Sequence, residues 1–143
     1  MTVITTRNLH EHTAQEVFDY VCRKVIEQGA PSVRFEANDE GACLYRGPNG
    51  TKCAVGFLID DADYVPEFEA GYTARTLLRD YSEKLGWQKG AHDYLLQQMQ
   101  GHAHDVAARQ SRGDNAEFLR LFKLYAANVA RYVGGIATTV LDA

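Results

Sequence analysis

The sequence predicts an α+β fold: a small antiparallel sheet packed on about four helices. Apolar residues recur at helical spacing in the long segments. The stretch from Cys43 to Ile59 sets two short arms around a turn signal. Strands and helices do not alternate as a doubly wound nucleotide-binding fold requires. With 143 residues, 45% of them hydrophobic and 24% charged, the chain suits a single domain, 1–143, around one core.

Residues 2–6, TVITT, are β-branched and read as a short edge strand or a loose arm. Asn8 followed by Glu11 reads as a capping box opening a helix. Its apolar face carries Val17, Phe18, Val21, Cys22, Val25 and Ile26, and Gly29 and Pro31 end it. SVRFE, residues 32–36, alternates as a short strand with Val33 and Phe35 inward, and ANDEG follows as a turn. After the hairpin, residues 60–71 form an acidic loop broken by Pro66. A helix with Ala74, Leu77, Leu78, Tyr81 and Leu85 stops at Gly86. A second runs from about His92 to Arg109, with Leu95, Leu96, Met99, Ala103 and Val106 on one face. A third starts at Asp114, capped through Glu117, and closes at Gly134–Gly135. The β-branched tail IATTVLDA reads as an edge strand or a free end.

In the hairpin, 43–59, Gly47-Pro48-Asn49-Gly50 fits a type I turn with a G1 bulge. The implied register sets Arg46 opposite Lys52, Tyr45 opposite Cys53 and Cys43 opposite Val55. Alternation places Cys43, Tyr45, Cys53 and Val55 on one face, and Leu44, Arg46, Lys52 and Ala54 on the other. Cys43 and Cys53 become diagonal neighbours roughly 7–8 Å apart, beyond disulfide reach, and read as small core residues. Arg46 facing Lys52 is unfavourable unless an acid sits nearby. That acid is either the chain's own Asp60, Asp61, Asp63, Glu67 or Glu69, or an external phosphate or carboxylate, with Arg34 extending the patch.

A net charge of −4 argues against wrapping nucleic acid over a broad basic surface. No apolar run approaches the roughly 20 residues of a membrane span. The N-terminal residues lack a signal core, so the cytoplasm is the expected location. Three cysteines, an odd number, are expected to remain thiols. No metal or other cofactor is expected. C-x9-C matches no compact zinc finger, and if a metal binds, Cys43, Cys53 and His102 are the ligands to test. His102 and His104 point in different directions on a helix, whereas His102 and Asp105 share a face. His92-Asp93, His10 and His12 are accounted for by helix starts. No nucleophile elbow, Walker loop or metalloprotease motif occurs. Tyr64, Phe68 and Tyr72 lie among acids on the 60–72 loop, as a protein-binding surface or, better, as a lid tucked over the sheet.

The run C-L-Y-R-G-P-N-G-T-K-C-A-V-G-F-L-I-D-D, with Tyr64, Pro66 and Glu69, resembles a pattern in small uncharacterised proteins of phages and prophages. That pattern is close to C-x-Y-R-x-P-x-G-x-K-C-A-x-G-x-L-I-x-D-x-x-Y-x-P-x-x-E. Residues 95–105, L-L-Q-Q-M-Q-G-H-A-H-D, are similar to a later leucine-glutamine-histidine-aspartate element of the same proteins. His104 and Asp105 fall on its matching positions and His102 is extra. The resemblance implies a phage accessory protein, for host takeover or counter-defence, and carries no activity with it. The expected mode is binding and inhibition of a host protein through the 60–72 loop or the Arg46/Lys52 patch. One alternative is a sponge-like binder, as an oligomer, of a phosphate-bearing nucleotide signal, held by Arg46, Lys52 and Tyr64. Another is a small zinc- or thiol-dependent enzyme using Cys43, Cys53 and His102 or His104.

Overall fold

A computed structural model describes residues 3–34, 42–87 and 92–142. The expected α+β architecture is corrected: the chain is mostly helical. Among the described residues the strand content is one two-residue ladder, β1 (Val33–Arg34) against β2 (Ala42–Cys43), antiparallel with Val33 opposite Cys43. Phe35 and the ANDEG turn lie outside the described residues.

Helix α1 (Ala14–Gln28) opens later than expected. Thr13 Oγ1 accepts from the Glu16 amide at 3.1 Å, and Glu16 Oε1 accepts from the Thr13 amide at 2.9 Å. Two N/T-x-x-E boxes stand five residues apart, and the second one caps the helix. The first makes only a tight turn, Leu9–Glu11, where Asn8 accepts from the Thr5 amide at 2.8 Å and donates to the Val3 carbonyl at 2.9 Å. Gly29, at φ 73°, ends α1 as expected. Residues 3–6 form no strand; Ile4 is buried and the Thr6 amide donates to the Leu58 carbonyl at 2.7 Å.

The hairpin over 43–59 is also corrected. A turn closes 47–51, with Gly47 donating to the Thr51 carbonyl at 2.8 Å, but it is not the expected type I turn: Asn49 sits at φ 60°, where type I needs a negative φ, and Gly50 follows at 75°. The arms do not pair across it. The Tyr45 and Arg46 amides each donate to the Glu69 carboxylate at 3.0 Å instead. Beyond Cys53 the chain coils into a 3-10 helix, Val55–Leu58. Gly56 permits this by close approach, since a Cβ there would stand 2.5 Å from the Tyr45 carbonyl oxygen. An apolar run of this length carries no periodicity that separates strand from buried helix.

Helix α2 (Ala74–Leu85) stops at Gly86, as the pattern requires. The next helical run comprises α3 (Asp93–Gln98), a π-helical stretch (Met99–His104) and α4 (Asp105–Ser111). Helix α5 (Asn115–Val133) starts with Asp114 accepting from the Glu117 amide at 3.1 Å. The tail forms a 3-10 turn, Thr139–Asp142, rather than a strand, and Gln15 exchanges hydrogen bonds of 2.7 and 3.0 Å with the Ala137 backbone. One core joins Phe18 and Val21 of α1, Leu58, Leu77 of α2, Leu96 and Met99, and Phe118 and Phe122 of α5. Among the described residues no helix is long and apolar enough to cross a membrane.

A candidate ligand site beside the π-helical stretch

From residue 95 onward the buried positions come as doublets every four residues: Leu95–Leu96, Met99–Gln100, Ala103–His104, Ala107–Ala108, then Ser111. An α-helix turns about 400° in four residues, so such a stripe drifts by about 40° per repeat. Under-wound π geometry in the middle of the run cancels part of that drift and keeps the doublets facing inward. It therefore aims two polar side chains, Gln100 and His104, into the interior.

Both are fully engaged. The Ser32 amide donates to His104 Nε2 at 3.1 Å, which fixes Nε2 as the unprotonated nitrogen. His104 Nδ1 therefore carries the proton and donates it to Asp105 Oδ1 at 2.9 Å. Gln100 accepts from the Val55 amide at 2.8 Å and donates to the same Asp105 oxygen at 2.6 Å. The residue before β1 (through His104), the 3-10 helix (through Gln100) and the π-helical stretch thus converge on one carboxylate.

Asp105 opens onto a cleft of about 570 Å³ between this helical run and the start of α2. Cys43, Tyr45 and Cys53 line one part of it, and Arg75, Arg109 and His102 line others. Arg75 stands on the first turn of α2; Arg109 is one turn beyond Asp105. Among the described residues neither guanidinium has a carboxylate within ion-pair distance. Tyr45 is held by donating its hydroxyl to the Tyr72 carbonyl at 2.8 Å.

The two cleft thiols are reduced and poor nucleophiles. Burial, then the Asp105 charge, push Cys43 and Cys53 well above the ordinary thiol range. The donor atoms of Cys43, His104 and Asp105 lie within 4.8 Å of one another, the right residue types for a metal. The fit fails at His104: its Nδ1 holds the proton, and freeing Nδ1 for a metal would move that proton to Nε2, where it would face the Ser32 amide N–H, donor against donor. The alternative trio Cys43, Cys53 and His102 shares the cleft wall, but His102 is exposed while His104 is the histidine beside Cys43.

The expected basic patch has an internal partner. The Arg46 guanidinium donates to the carbonyls of Gly56 at 2.8 Å and Ile59 at 2.6 Å, and to Asp61 at 2.9 Å. It also lies 4.9 Å from the centre of the Tyr64 ring. Lys52 Nζ is 3.6 Å from the same Asp61. Arg46 first, then Lys52, hold the Asp61 carboxyl below its usual range. Arg34 is exposed on β1. Tyr64 donates to Glu69 at 2.8 Å; burial and that bond push its phenol up to about 12. In the 60–72 loop Phe68 is fully buried, edge-on to Tyr64 and to Tyr81 of α2, while residues 60–62 and 65–67 are exposed; the expected lid over a sheet is corrected, since Phe68 packs on a helix.

The structure thus brings together Cys43, Cys53, His102, His104 and Asp105, and sets Arg46, Lys52 and Tyr64 in a separate internal cluster. Sequence reasoning does not single out Gln100, Arg75 or Arg109. The period-four doublets are a readable sign of Gln100; the two arginines, on separate helices, leave none. Comparison with known proteins adds no identity: no family model, no curated protein and no solved structure matches this chain.

Proposed function

We propose that this chain is a binding protein that holds a small anionic, hydrogen-bonding ligand in the cleft beside the π-helical stretch. The observation that carries the reading is the pair Arg75 and Arg109, both lining the cleft, with no carboxylate partner among the described residues. Guanidinium groups placed this way suit a phosphate or carboxylate. Asp105, fixed by Gln100 and His104, supplies an acceptor for a hydroxyl or amine of the same ligand. In the phage setting that the resemblance implies, such a protein acts by sequestering a host-made, phosphate-bearing signal.

Two other readings draw less support. Direct inhibition of a host protein through the 60–72 loop needs aromatic and acidic groups that the fold spends internally, Phe68 in the core and Glu69 on two backbone amides. Thiol chemistry needs an activated sulfur, and both cleft thiols are shifted the other way.

Titration calorimetry with pyrophosphate and ribose phosphate tests the reading. Wild-type protein is expected to bind at least one of them. Arg75→Gln and Arg109→Gln are each expected to weaken binding about tenfold or more, the order of one charge-assisted hydrogen bond, with unchanged melting. Absence of binding to both probes, or intact binding in both variants, sinks it.

A further inference from the structure

A second hollow, about 470 Å³, adjoins the cleft. Gln98 and His102 line both, so the two meet along that stretch of helix. The far wall of the second hollow is one face of α5: Tyr125, Asn128, Val129 and Tyr132, at i, i+3, i+4 and i+7. This hollow lacks the arginines and the two carboxylates, Glu69 and Asp105, of the cleft, and its α5 wall offers two aromatic rings, a buried valine and an amide. Tyr132 is 72% exposed, yet its ring is set against Tyr94, itself 48% exposed, with centroids 6.2 Å apart at 34°. An exposed ring braced by a second ring is prepared for stacking with little ordering cost. Asn128 accepts from Arg131 at 3.3 Å through its oxygen and keeps its amide N–H groups, which suit an acceptor on the edge of a heterocycle. His102, on the shared wall, is exposed.

We infer that the ligand is a nucleotide, its phosphate at Arg75 and Arg109 and its base over Tyr132 beside Asn128. This rests on the proposed anion site and adds to it the part of the ligand beyond the phosphate. The cleft alone accommodates any small phosphate ester; the adjoining tyrosine-lined hollow selects one that carries a planar ring. These contacts share no residue with the Arg46, Lys52 and Tyr64 cluster, so the base and phosphate sites are assigned independently of it.

The test compares ribose phosphate with the four common nucleoside monophosphates by titration calorimetry, on wild type, Tyr132→Ala, Asn128→Ala and Arg109→Gln. At least one nucleotide is expected to bind wild type about tenfold more tightly than ribose phosphate, the order of one base–aromatic stack. Tyr132→Ala is expected to erase that margin while leaving ribose phosphate affinity unchanged, and Asn128→Ala to change the ranking of the bases. Arg109→Gln is expected to weaken every ligand alike. If ribose phosphate binds as tightly as every nucleotide, or the margin survives Tyr132→Ala, the base site is overturned and the anion site stands. If no phosphate ester binds at all, both are overturned. Tyr132 is exposed, so its removal leaves the fold intact, which thermal melting verifies.

Discussion

At the scale of single residues, Arg46 shows how a charge that reads as a ligand hook becomes structural. Its guanidinium closes the end of the 3-10 helix Val55–Leu58 by serving two carbonyls, and its side chain is only 18% exposed. Arg46→Ala is expected to lower stability by about 3 kcal/mol, the order of one or two charge-assisted hydrogen bonds. Arg46→Lys should recover little of it, because a single ammonium cannot span both carbonyls and Asp61. An unchanged melting temperature in either variant would contradict this role. Asp63 gives a pH-dependent counterpart. Arg7 donates to it through Nε at 2.8 Å and a terminal nitrogen at 2.6 Å, with Trp87 Nε1 at 3.4 Å. The Arg7 bonds hold its carboxyl below the usual range. A depressed folded value adds stability that is fully present above the unfolded value of about 3.9 and is lost as pH falls through the folded one. Asp63→Asn is therefore expected to melt lower at neutral pH and to lose less on acidification below about pH 4. Parallel acid limbs in the two proteins would remove Asp63 from the account.

Among elements, the helical run from Asp93 to Ser111 decides where the site is. Gly101 sits inside its π-helical stretch with a negative φ, and a Cβ there would meet nothing within 4 Å. Gly101→Ala is expected to stabilise the protein by about 0.5–1 kcal/mol through helix propensity, while its methyl group, on the cleft wall, weakens ligand binding. Deleting Gly101 should do the reverse of stabilising: with one residue fewer, His104 and Asp105 rotate by about 100° relative to Gln100, and both melting temperature and binding should fall. The long helices were legible because their apolar spacing is sustained over several turns and their stops are glycines. The short elements were not. Residues 54–59 are apolar at every position but one, so strand and 3-10 helix write the same pattern, and the deciding contact, Gly56 against the Tyr45 carbonyl, is tertiary. Asn8 and Thr13 both head a capping-box pattern in the sequence, but only Thr13 and Glu16 make the reciprocal bonds that start α1.

For the molecule as a whole, side chains of the 43–69 and 95–105 segments form two connected groups. Tyr45, Arg46, Asp61, Tyr64 and Glu69 form the internal clamp, and Cys43, Gln100 and Asp105 line the cleft, with His104 buried behind Asp105. Only tertiary structure makes these groups visible, since each assembles positions from separate elements. The clamp fixes the wall that Tyr45 gives the cleft, so damage to it should be felt in the cleft. Glu69→Gln, which keeps the shape but loses the charge that two amides and the Tyr64 hydroxyl share, is expected to cost about 1–3 kcal/mol and to weaken ligand binding. A normal melt for Glu69→Gln would mean that the clamp is dispensable.

The two backbone amides that donate to side chains of the π-helical stretch, Ser32 to His104 and Val55 to Gln100, have a spectroscopic consequence. Neither proton is protected by the element it belongs to. Each exchanges with solvent deuterium only when a side chain from a distant helix lets go. In wild-type protein both should exchange slowly, together with the amides of α5. In Gln100→Ala the Val55 proton should become fast while those of α1 stay slow. The pair thus acts as an internal gauge of the 99–105 segment, read from residues 72 and 45 positions earlier in the chain, and ligand binding in the cleft should slow both at once.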